Sequence, residues 1–174
     1  MGIARAARDR IRPDKLIWIP SKTPPHRGPG VLEAEERLRM LRAWASGRKW
    51  CEVSDLELRK GHSGFTVETL EIFSSEYPGA ELYFLMGNDE AVNFGSWKEP
   101  ERILELARPV IARRSGSSRR LPGEIAARSV FLENPEFDIS SSEVRRRLRR
   151  GEDAGELLDP FIYRYIMDNS LYAA

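Results

Sequence analysis

Residues 80–89 read AELYFLMGND, an apolar run that passes directly into Gly87-Asn88-Asp89. The run 80–86 has no polar face, and a strand apolar on both sides belongs in a covered, mostly parallel sheet. A parallel sheet needs crossover helices between its strands. Outward from this strand the chain supplies them. Upstream, residues 66–77 put Val67, Leu70 and Phe73 on one helical face, and Pro78-Gly79 stops the helix. Before that come an alternating strand at 51–58, an amphipathic helix at 33–46 with Leu38, Leu41, Trp44 and Ala45 inward, and a short apolar strand, KLIWI, at 15–19. The first eleven residues are helical by pattern, with Ile3, Ala7 and Ile11 on one face. Downstream follow a helix at 100–107 with proline in its first turn, a buried strand at 109–112, a basic loop at 115–123 and a last strand at 129–132. Asp159-Pro160 opens a terminal helix packed through Phe161, Ile162, Tyr165 and Ile166. This alternation predicts a single α/β domain over residues 1–174 with right-handed crossovers.

Composition narrows the function classes. A chain of 174 residues suits one domain with a real core, and 41% hydrophobic with 32% charged residues is ordinary for a globular protein. The net charge is +1, so no global field marks a nucleic-acid binder, and the arginine clusters at 113–114, 119–120 and 145–150 are local features. They point to a small anionic partner, with no nucleic acid. No apolar run approaches the roughly 20 residues of a membrane span, so no membrane partner is expected. The single cysteine, Cys51, excludes an internal disulfide framework and suits a reducing cytoplasm.

In open α/β sheets ligands bind beyond the carboxyl ends of the strands, which directs attention to loops 20–30, 59–66, 87–97, 113–123 and the stretch 137–145. In the last, FDISSSEVR, Ser140 and Glu143 have capping-box spacing, so a helix starts at Ser141, and Gly151 ends it. Ser140, Ser141 and Ser142, with the free amides of the first turn, form a seat for phosphate oxygens, and Arg145 adds a planar cation one turn in. A capped basic surface helix would carry the same pattern. KTPPHR at 22–27 sets Lys22, His26 and Arg27 around a rigid proline pair, as a phosphate-facing loop or a solvated turn would. HSGFT at 62–66 ends at a helix start whose amides suit an anion or carboxylate. Gly87 lets a ligand approach the backbone, Asp89 can accept from ribose hydroxyls, and Trp97 offers a flat aromatic face.

The ordered set PPHR (24–27), SGFTVETL (63–70), FLMGND (84–89), F-x-x-W (94–97), ARR (112–114) and ISSSEVRRRL (139–148) closely resembles the bacterial nicotinate-nucleotide adenylyltransferases, within the HxGH nucleotidyltransferases. The resemblance implies a Rossmann-like nucleotidyltransferase fold and transfer of AMP from ATP to nicotinate mononucleotide, giving deamido-NAD and pyrophosphate, with Mg²⁺ entering with ATP. By similarity Ser140, Ser141, Ser142 and Arg145 hold ATP phosphates, and Gly87 and Asp89 serve the nucleotide and its ribose. Phe65, Thr66, Trp97, His26, Arg27 and Arg113 serve nicotinate mononucleotide, with Trp97 on the pyridine ring and the amides around Thr66 on the carboxylate. A homo-oligomer stays open.

The family's leading signature, a first strand running into a GGTFDPxHxGH-type loop, does not occur among these residues. His26 and His62 are the only histidines, and neither stands in an HxGH context, so no catalytic residue is assigned. That strand would be central in the sheet. The expectation is therefore an N-terminally truncated nucleotidyltransferase domain of low activity. The alternatives are a non-catalytic nucleotide-binding remnant and an adenylyltransferase with another acceptor such as phosphopantetheine.

Overall fold

The computed structural model describes residues 2–22, 31–112, 121–133 and 140–172. In chain order its main elements are α1 (Gly2–Ile11), β1 (Leu16–Trp18), α2 (Ala34–Ala45), β2 (Cys51–Val53), α3 (Thr66–Glu76), β3 (Tyr83–Gly87), α4 (Asn88–Val92), α5 (Pro100–Leu106), β4 (Arg108–Ala112), α6 (Gly123–Arg128), β5 (Val130–Leu132), α7 (Ser141–Arg149) and α8 (Pro160–Asp168). They form two packed units, each drawn from two separate stretches: residues 1–13 with 61–138, and residues 14–60 with 139–174.

The first unit is built on the parallel sheet β3-β4-β5, in which Leu85 pairs with Val110 and Val110 with Val130. Side chains alternate between the two faces of a strand. One face therefore carries Val110, Ala112 and Leu132 against Ala7 of α1, while the other sets Met86 and Ile111 among Val67 and Leu70 of α3, Ile103 and Leu104 of α5, and Ile125 of α6. A helix layer on each face is what the apolar strands require. The expectation of full cover holds for β4 but fails at one position of β3, where Leu85 is 41% exposed. β3 is the outer strand of its sheet, and among the described residues no strand pairs with its free edge. It also begins at Tyr83 rather than at residue 80, because Gly79 takes the left-handed conformation and Ala80 N–H donates to Tyr77 O in a turn.

In the second unit, β1 and β2 pair in parallel, Leu16 opposite Cys51 and Trp18 opposite Val53. The core centres on Trp44, fully buried, with Trp18 and Trp50 edge-on at 5.8 and 6.1 Å. Such edge-to-face contacts match the positive ring edge to the negative face. The Arg48 guanidinium covers the Trp44 ring at 4.5 Å, and Tyr165 of α8 donates to Glu36 of α2 at 3.1 Å. The strand expected at 51–58 stops at Val53. Ser54 Oγ accepts from Leu56 N–H, and the chain turns into a 3₁₀ helix, Leu56–Leu58, with Asp55 held by Arg42 and Arg59. A serine side chain that satisfies a nearby amide offers the backbone an alternative to the ladder. Among the described residues all strand pairings are parallel, as expected, but they form two sheets, one in each unit, where one was expected.

Candidate functional site

At the carboxyl end of β3, Gly87 caps α4 and Asp89 is exposed in its first turn. The glycine has an ordinary backbone conformation, φ −76°, so the need for it is steric. A Cβ there would collide with Asp89 Oδ1, because the Asp89 side chain folds back over Gly87. The space expected to admit a ligand is thus bordered by a carboxylate, which keeps an acceptor at the strand end.

In the same unit, the loop before α3 is fastened by its own side chains. His62 Nδ1 accepts from Gly64 N–H at 2.9 Å, and its Nε2 lies 3.4 Å from Thr69 Oγ1, which is buried in the second turn of α3. With Nδ1 accepting, the proton sits on Nε2 and donates to the threonine. The Glu68 carboxylate accepts from both Ser63 N–H and Ser63 Oγ. Those bonds hold Glu68 below the usual carboxylate range, the Ser63 hydroxyl first and then the Ser63 amide, with Lys98 adding positive charge. Phe65 N–H is taken by Ser63 Oγ at 3.3 Å, so the first-turn donors that remain are the amides of Thr66, Val67 and Glu68. Thr66 is the first residue of α3, and Phe65, 48% exposed, is its N-cap without a side-chain cap bond.

Trp97 is half-buried and rests against Phe94 at 5.4 Å and Phe84 at 6.3 Å. It is neither a core tryptophan like Trp44 nor free in solvent: the phenylalanines support it from the core side. Its neighbour Lys98 reaches back toward α3, Nζ lying 4.9 Å from the centroid of the Phe65 ring. Phe65, Thr66, Trp97, Gly87 and Asp89 all belong to the first unit. Lys98, Ser63 and Glu68 were not singled out as site residues from sequence; the usable signals were a cation immediately after Trp97 and a serine ahead of an N-terminal-turn glutamate.

The second unit carries the serine stretch. Ser140 Oγ accepts from Glu143 N–H at 3.0 Å, one half of the expected capping box. The other half is absent. The Glu143 carboxylate turns down the helix to Arg146 at 2.7 and 2.8 Å and to Arg147 at 3.0 Å, because two charged guanidiniums outcompete a neutral amide. The two arginines, Arg146 first, hold its acid pKa down to about 2. Ser140, Ser141 and Ser142 are exposed at the start of α7, and Arg145 Nη2 donates back to Ser142 Oγ at 3.4 Å. Hydroxyls and guanidinium therefore share the positive end of the helix, with the competing carboxylate drawn away. Burial pushes the Tyr172 phenol up, opposed by the positive charges of Arg145, Arg149 and Arg37. His26, Arg27 and Arg113, assigned to the acceptor from sequence, lie outside the described residues. Among the described residues no group of three or more His, Cys, Asp or Glu side chains gathers to hold a metal, and no helix is long and apolar enough to cross a membrane.

Parallel α/β sheets, an acceptor at a strand end and a serine-capped, cationic helix start define a nucleotide-handling protein of the α/β class. Comparison with known proteins makes this specific: the chain belongs to the cytidylyltransferase-like family, whose profile matches residues 1–147, and within it to the nicotinate-nucleotide adenylyltransferases. It is 31% identical to a protein of Clostridium tetani over 99% of this chain and 90% of that one. A protein of Dictyoglomus thermophilum is 32% identical, over 99% and 91%. Both carry the name "probable nicotinate-nucleotide adenylyltransferase". Among solved structures, Plasmodium falciparum nicotinic acid mononucleotide adenylyltransferase complexed with NaAD superposes with a TM-score of 0.66 at 19% identity, covering 91% of this chain and 82% of that one. A Vibrio parahaemolyticus structure assigned to nicotinate-nucleotide adenylyltransferase reaches 0.68 at 18% identity, over 98% and 86%. At such identities the superpositions speak for the fold.

Proposed function

We propose that this chain transfers AMP from ATP to nicotinate mononucleotide, giving deamido-NAD and pyrophosphate, as one nucleotidyltransferase domain. The observation that carries the reading is the arrangement at α7, where Arg145 lies 3.4 Å from Ser142 among exposed serines and Glu143 is bound elsewhere. There Ser140, Ser141, Ser142 and Arg145 hold ATP phosphates. Adenylyl transfer depends on in-line positioning and on neutralising phosphate charge more than on a protein nucleophile, so hydroxyls, amides and guanidinium suit it. Mg²⁺ enters as its ATP complex, which suits a hard cation held chiefly by phosphates and water.

On the acceptor side, the α3 amides from Thr66 onward receive the nicotinate carboxylate, and the face of Trp97 turned away from Phe94 stacks on the pyridine ring. Gly87 and Asp89 serve the nucleotide, with Asp89 on ribose hydroxyls. Neither His26 nor His62 stands in an HxGH context, so neither is given a catalytic role.

Calorimetric titration with each substrate tests the assignment. Trp97→Ala is expected to weaken nicotinate mononucleotide at least tenfold and ATP less than twofold, with Trp97→Phe intermediate, since a stacked ring is worth about 1–3 kcal/mol. Equal weakening of both substrates removes Trp97 from the acceptor site.

A further inference from the structure

We infer that Lys98 makes the acceptor seat selective for a carboxylate over a carboxamide, its ammonium standing over the ring of Phe65, the N-cap residue of α3. This rests on the acceptor reading above. The root of Lys98 is fixed on both sides. Trp97 N–H donates to Phe94 O at 3.0 Å, and Pro100 begins α5 two residues on, with Ile103 N–H returning to Glu99 O at 3.1 Å. From that root the side chain crosses to α3, and Nζ sits 4.9 Å from the Phe65 centroid, the residue immediately before Thr66.

Three charged or titratable groups surround the ammonium. Glu99 lies at 4.0 Å; Glu68, in the first turn of α3, is satisfied by Ser63; and His62 is bound to Gly64 and Thr69. Helix amides alone accept any anion or carbonyl oxygen, so they separate a nicotinate from a nicotinamide ring only weakly. Glu68, in the same turn, disfavours a second carboxylate. A cation near enough to act on Glu68 offsets that repulsion for the acid and adds nothing for the neutral amide, because Coulomb attraction needs charge on both partners. Side chains at Phe65 and Lys98 thus supply the discrimination that the backbone lacks.

The experiment measures dissociation constants for nicotinate mononucleotide and nicotinamide mononucleotide on the full chain and its variants. Lys98→Met is expected to weaken the acid form about fivefold and leave the amide form within twofold, the size of a partly exposed ion pair. Lys98→Arg restores the preference, and raising salt erodes it in the wild type but not in Lys98→Met. Thr66→Pro tests the seat itself: proline fits the first helical position, and it deletes one amide donor. If Lys98→Met leaves the acid-to-amide ratio unchanged while Thr66→Pro weakens both ligands, the role of Lys98 is overturned and the acceptor reading stands. If neither variant alters nicotinate mononucleotide binding, both fall.

Discussion

His62 illustrates how one side chain sets a loop. Its two ring nitrogens join Gly64 at 2.9 Å to Thr69 at 3.4 Å, closing the turn in which Gly64 takes φ 82°. Only glycine adopts that conformation freely, and the imidazole supplies the acceptor that holds it. His62→Leu keeps the bulk and removes both bonds, so unfolding free energy should fall by about 1 kcal/mol, the net worth of an ordinary hydrogen bond or two at a half-exposed site. His62→Asn, which retains an acceptor near Nδ1, should recover part of it in urea unfolding. An unchanged midpoint for His62→Leu would mean the loop holds without it. The sequence marked HSGFT as an anion seat by its place before a helix, and that reading needed only local pattern. The fastening of the loop by His62, Ser63 and Glu68 depends on which rotamers meet across α3, which spacing alone does not encode.

At the scale of elements, α7 was the most legible, because its signals are local: Ser140 caps it, and Gly151 beyond its end takes φ 68°. What spacing did not decide was the partner of Glu143, since a glutamate at that position can reach back to the cap or forward to cations at i+3 and i+4. Arg146 and Arg147 win. The consequence for pH has a definite sign. Glu143 is more acidic in the folded helix than its usual 4.5, at about 2, so the stability it lends is complete above that usual value. It drains away as pH falls from about 4.5 to about 2. An acid titration followed by circular dichroism should therefore lose helix through that window in the wild type, and Glu143→Gln should lack that component while matching the wild type's acid end. Coincident curves would remove Glu143 from the acid response. Strand limits were less legible: residues 51–58 alternate as a strand should, yet Ser54 and Asp55 end it early with side-chain bonds.

For the molecule as a whole, strand and helix alternation was enough to predict an α/β protein with parallel pairing, since periodicity and crossover rules are properties of short windows. The division of the chain was not legible. Residues 1–13 join 61–138, and 14–60 join 139–174, through contacts between segments far apart in sequence, such as Tyr165 with Glu36. The two groups of proposed site residues follow this division, Phe65, Thr66, Gly87, Asp89 and Trp97 in one unit and Ser140, Ser141, Ser142 and Arg145 in the other. Hydrogen exchange should report them separately: ATP slowing amides at 140–145, nicotinate mononucleotide slowing those at 64–68. Protection of both stretches by either ligand alone would contradict separate binding roles.

The same interleaving orders events on the ribosome. Residues 1–13 must wait for the sheet they cover, and the stretch holding Trp18, Trp44 and Trp50 must wait longer, for α7 and α8, while residues 61–138 are made. At 5–20 residues per second that delay is on the order of ten seconds. During it α2 lacks the α8 helix that packs on it, so chaperone capture of nascent chains should centre on residues 14–60.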